Sequence, residues 1–171
     1  MSVESLFLGS AVASLRQCND RIAVCLGKLT VDQVWARAHE NENAVGNLVL
    51  HLAGNARQWI ISGLGGQPDV RVRDREFLSE GGYTVEELTA LLREAIDGSI
   101  AVIDGLDAGR LVGVQRIQNK DVTGVDAVMS VVRHFAEHTG QIIFATKNLT
   151  GVDLGLWGPR PVKNAGNTAA G

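Results

Sequence analysis

The chain has 171 residues, of which 45% are hydrophobic and 20% charged, with a formal net charge of −3 and a pI of about 5.8. That length and balance suit one folded domain and exclude a mainly disordered chain. The acidic balance argues against a broad basic face for nucleic acid, and no apolar run approaches the ~20 residues of a membrane helix.

The opening segment MSVESLFLGSAVASLRQ lacks a basic signal region and carries Glu4, so a cytoplasmic protein is the expectation. A first helix is predicted over roughly Ser5 to Leu29. Leu6, Val12, Leu15, Ile22 and Leu26 recur at helical spacing there, with Gly27 near the stop. Cys18 and Cys25 lie on it seven residues apart, about 10 Å along the axis. That is too far for a disulfide, so both read as small core or boundary residues. Thr30-x-x-Gln33 has the form of a capping box and predicts a short helical turn.

A second helix is expected over Ala44 to Ser62 with Asn43 as N-cap. Val45, Leu48, Val49, Leu52, Ala53, Ala56, Trp59 and Ile60 share one face; Asn47, His51, Gly54, Asn55 and Gln58 share the other. The following twenty residues, Leu64 to Tyr83, are rich in glycine and carry the charged run Arg71 to Glu76. They read as a long loop, a feature often tied to function but equally suited to a solvated connection. Thr84-x-x-Glu87 starts a third helix that its Leu and Ile periodicity carries to about Leu106. Leu111 to Asp121 alternates apolar and polar residues, which suggests a short strand or strand pair. Thr123 and Asp126 open a fourth helix that runs to about Leu149 and ends at Gly151. The expected fold is an all-α four-helix bundle over residues 1–158, with a flexible tail over residues 159–171.

The chemistry lies with the histidines. His134 and His138 are four apart, so they stack on one helix face about 6 Å apart along the axis and can converge on one cation. They fall opposite the apolar arc of Val128, Val132, Phe135, Ala136 and Ile143, as His51 does on its own helix. Three imidazoles from two polar helix edges would make a water-accessible rim site with a vacant position, the pattern of catalytic rather than closed structural metal sites. The competing reading is three exposed histidines without an ion. Asn47, Asn55 and Gln58 share the His51 face, and Glu137 and Gln141 flank the pair; these five are candidates to orient the rings or hold substrate. Glu137 is also a possible fourth ligand or base, or a solvated carboxylate. His39 reads as a surface residue. Arg71, Arg73 and Arg75 are candidates to grip a carboxylate, or are solvated. No P-loop, dinucleotide fingerprint, G-x-S-x-G or C-x-x-C is present.

Several of these segments occur together in a known family. The run from Gly46 to Asn55 (GNLVLHLAGN), followed by Arg57-Gln58-Trp59-Ile60 and Gly63-x-Gly65-Gly66, resembles the second helix of one branch of the DinB-like superfamily. The segment from His134 to Ile143 resembles that branch's fourth helix, and Thr150-Gly151-x-Asp153-Leu154-Gly155-x-Trp157 its C-terminal motif. The resemblance covers about residues 1–158. It implies a four-helix bundle, commonly a homodimer, that holds a divalent metal, zinc or nickel, through one histidine of helix two and an H-x-x-x-H of helix four. Those positions are His51, His134 and His138. Related branches include thiol S-transferases and isomerases that use mycothiol or bacillithiol. The resemblance thus implies a metal-dependent thiol S-transferase acting on small electrophiles, with a small-molecule thiol as partner; charge and apolar run length lead to no expectation of nucleic acid or membrane as partners. A non-catalytic metal-binding stress or structural protein, or a metal-dependent hydrolase, is the alternative.

Overall fold

A computed structural model describes residues 2–158. The expected tail, residues 159–171, lies outside the described residues. Four long helices form the frame: α1 (Val3–Leu26), α3 (Val45–Ala56), α5 (Val85–Asp104) and α7 (Gly124–Thr150). Three short helices fill the connections: α2 (Val31–Trp35), α4 (Arg73–Leu78) and α6 (Ala108–Val112). A two-stranded antiparallel hairpin, β1 (Val114–Ile117) and β2 (Lys120–Thr123), leads into α7. None of the described helices is long and apolar enough to cross a membrane.

The helix starts follow local chemistry. Thr30, Thr84 and Thr123 each cap a helix while Gln33, Glu87 and Asp126 bond back to the cap backbone, so two orphan N–H groups are satisfied at each start. The expected cap at Asn43 is displaced by one residue to Ala44. Asn47 is the reason: its Oδ1 accepts the Ala44 N–H at 3.0 Å, which does the work from inside the helix. α7 ends at Gly151, whose φ of 68° is the left-handed conformation that closes a helix.

Along α1, Leu8, Leu15, Ile22 and Leu26 are buried against α5 and α7; α3 buries Val49, Leu52, Ala53 and Ala56 against the same two helices. Phe135, Ile142, Leu92, Ile96 and Ile103 complete a single core. Cys18 and Cys25 are buried, free thiols within it.

Three departures from the sequence expectation matter. The 64–83 segment is not a loop throughout, because Arg73–Leu78 coils into α4, which packs on α3. The last six residues of the second helix, Arg57–Ser62, are π-helical rather than α-helical. Leu111 and Val112 belong to α6, so only the later part of 111–121 is extended. Gln118 and Asn119 turn the hairpin with positive φ at both central positions, the twist a two-residue turn requires.

Candidate metal centre

His51 sits in the middle of α3, and His134 and His138 sit on consecutive turns of α7 where the two helices adjoin. Their candidate ligand nitrogens all lie within 4.8 Å of one another. His51 Nε2 and His134 Nε2 are 2.8 Å apart. The ring centroids are 4.4 to 5.3 Å apart, and each pair meets edge to face.

Two of the outer nitrogens are tied down. His51 Nδ1 lies 2.8 Å from Glu76 Oε2. Glu76 is ionised: burial alone would raise its carboxyl, but hydrogen bonds and charges from Arg71 and His51 outweigh that and hold it below the usual carboxylate range. An ionised carboxylate only accepts, so His51 carries its proton on Nδ1 and turns the lone pair of Nε2 toward α7. His138 Nδ1 donates to Gln141 Oε1 at 2.6 Å, which likewise leaves its Nε2 free. Three imidazoles presenting Nε2 to one point are the donor set of an open three-histidine metal site. Burial, then the charges of His138, His51, Arg71 and Arg73, push His134 down to about 4, so it is an uncharged donor at neutral pH. Burial also lowers His138, against the opposing effect of its bond to Gln141.

Behind His51 stands a buried ion pair. Glu76 is 8% exposed and the Arg71 side chain 4%. Arg71 grips Glu76 in bidentate fashion, Nε to Oε1 at 2.7 Å and Nη2 to Oε2 at 2.8 Å. Gly54, one turn beyond His51, makes room for this pair: a Cβ there would run into Glu76 Oε1 and come within 3.0 Å of Arg71 Nε. Phe77 from α4 lies against the His51 ring at 4.7 Å, and the Arg73 guanidinium lies over the Phe77 ring at 4.7 Å.

The family described as "Protein of unknown function (DUF1572)" matches residues 2–156. The chain belongs to that family. No curated protein matches it. Among solved structures, the DUF1572 chain is similar to a conserved protein from Enterococcus faecalis, with a TM-score of 0.70 at 17% identity over 89% of this chain and 99% of that one. It is also similar to the DinB-like protein YjoA from Bacillus subtilis, with a TM-score of 0.64 at 15% identity over 82% of this chain and 91% of that one. The fold is therefore DinB-like, as the sequence motifs implied, and all-helical in its frame.

The five neighbours singled out from sequence divide. Gln141 bonds a histidine directly. Asn47 does not: it is buried, and its Nδ2 donates to the carbonyls of Glu76 and Ser79, both at 2.8 Å, so it anchors the α4 segment to α3. Arg37 helps by donating to Asn47 Oδ1 and to the Phe77 and Ser79 carbonyls. Gln58 bonds Asp69 and Arg71 rather than a ring, and it also accepts from Gln118. Asn55 Oδ1 is buried without a hydrogen-bond partner. Glu137 is exposed and faces Arg133 at 3.9 Å, and it stands outside the histidine cluster. His39 is exposed.

Two expectations for the centre are corrected. His51 was placed on a water-facing rim but is only 6% exposed, because α4 folds over it. Of the two readings open for Arg71, the solvated one does not hold: its side chain is buried and grips a carboxylate of this chain, Glu76. Glu76 and Phe77 escaped sequence reasoning because they lie in a charged stretch with no helical periodicity long enough to read. The one available signal was Gly54, a small residue three positions from a polar-face histidine, where another segment approaches closely.

Proposed function

We propose that His51, His134 and His138 hold one divalent cation through their Nε2 atoms, and that the protein is a metal-dependent thiol S-transferase acting on small electrophiles. The observation that carries this reading is the common aim of the three rings, two of them fixed by partners on Nδ1. Ligand nitrogens around a tetrahedral ion stand about 3.4 Å apart at the usual 2.0–2.1 Å bond length. The candidate nitrogens here lie within 4.8 Å of one another and the closest pair at 2.8 Å, on either side of that spacing. Imidazole donors suit zinc and nickel alike.

When bound, the ion supplies Lewis acidity that lowers the pKa of a thiol reaching its vacant position. The chain's own residues do the rest. Glu76 keeps the proton on His51 Nδ1 and balances charge that builds at the centre. Gln141 does the same for the orientation of His138. His134 and His138 are half-buried, so the outer side of the cluster stays open to a ligand. Arg71 and Arg73 add positive charge near His134, which favours an anionic sulfur over a neutral one. The sulfur then forms a bond to the electrophilic carbon as its leaving group departs, and the thiol proton passes to solvent.

The test has two parts. Metal content is measured in purified wild type, His51→Ala and His138→Ala; one ion per chain in wild type and loss in both variants is expected, and retention by both removes the site. The metal-loaded protein is then incubated with mycothiol or bacillithiol and monochlorobimane. A rate above buffer that falls in His138→Ala supports transfer, and a rate equal to buffer with every thiol rejects it.

A further inference from the structure

A cleft of about 820 Å³ opens beside the centre, between α3, the π-helical segment, the 65–72 segment, α4 and α5. Arg71 and Glu76 line it, and none of the three histidines does. The volume falls within the range of small-molecule pockets, about 300–1,000 Å³. Its walls are largely apolar, with Leu50, Ala53, Ile61, Leu91 and Val102 from three helical segments. Val70 and Val72 line it too, 86% and 53% exposed, apolar side chains that an occupant would cover.

The charges of the cleft do not cancel. Its two carboxylates are engaged: Glu76 by Arg71 and His51, and Asp69 by Gln58 and the Arg71 backbone N–H. Of its three arginines, Arg71 is spent on Glu76 and Gln58, and Arg57 reaches Glu94 at 3.1 Å. Arg75 also lines the cleft, and among the described residues it has no carboxylate partner. A single free guanidinium at an apolar cleft is matched by a molecule with one anionic group and an apolar body.

We propose that this cleft binds a small amphipathic monocarboxylate, its apolar body against Ile61, Leu91 and Val102 and its carboxylate on Arg75. A neutral apolar molecule would leave the guanidinium unmatched, and a polyanion would find only one free cation. The site is separate from the histidine cluster and does not depend on metal.

Calorimetric titration of decanoate into the metal-free full-length protein tests the proposal, with decanol as the uncharged comparison. Decanoate should bind saturably, one per chain, and more tightly than decanol. Arg75→Ala, at an exposed position, should weaken decanoate about 10-fold, the usual scale for a charged hydrogen bond, and leave decanol unchanged. Leu91→Trp should block both by filling the cleft. His138→Ala should bind decanoate as wild type does, which separates this site from the metal centre. Absence of saturable binding, equal affinity for the two probes, or indifference to Arg75→Ala would overturn the proposal. So would sedimentation showing that decanoate dissociates a dimer, since the occupant would then be a second copy of the chain.

Discussion

Glu76 decides which nitrogen of His51 carries a proton, and the consequence is measurable. Glu76→Gln keeps the volume but removes the charge that polarises the ring. Loss of such a partner typically costs 10–100-fold in metal affinity. That drop is expected in chelator-competition titrations, with far-ultraviolet circular dichroism unchanged; affinity equal to wild type would show that the carboxylate does not act on the metal. Gly54→Ala tests the same pair sterically. The added Cβ meets Glu76 and Arg71, which must shift. Overpacking of this kind costs about 1–3 kcal/mol, to be read from urea unfolding, and metal affinity should fall with it. The histidines also set a pH dependence. Burial foremost holds His134 at about 4 in the fold, while in the unfolded chain it titrates near 6.5. Between those values the unfolded state binds the extra proton, so the metal-free protein loses stability as pH falls from 6.5 toward 4. His138 and Glu76, both lowered, act in the same direction. Melting temperatures measured in chelator should therefore decline through this window, and His134→Gln should flatten the decline.

At the scale of elements, the starts of α5 and α7 were legible because Thr-x-x-Glu and Thr-x-x-Asp state a local reason for a helix to begin. Thr123→Ala removes one such cap at the entry to the helix that carries two of the histidines. It should cost about 1 kcal/mol in chemical unfolding, against near-zero change for an exposed Ala136→Ser control. α4 was not legible in the same way. It is six residues long, too short for a hydrophobic period, and its N-cap Val72 offers no side-chain bond. Its position is set by Asn47 and Arg37, which bond carbonyls 29 to 42 residues away in sequence. Such pairings are tertiary, and local propensity carries no trace of them. The helix-four spacing of His134 and His138, by contrast, is a purely local fact and survived intact.

For the whole molecule, the DinB-like bundle followed from four long apolar periodicities and from motifs shared along the chain. The side of α3 that looked polar enough to face water was misjudged for one reason. A histidine, an asparagine and a glycine, read one by one, describe a solvated edge. Together with Arg71 and Glu76 they form a second, polar interior, in which Glu76 bonds His51 and Arg71 through its side chain and Asn47 through its carbonyl. The account stands or falls on whether those three rings meet at one ion. X-ray absorption at the metal edge of the zinc- or nickel-loaded protein reads this directly. The account predicts three imidazole scatterers at about 2.0–2.1 Å plus one non-protein ligand. A spectrum with one imidazole or none, or one unchanged by His51→Ala, would contradict it.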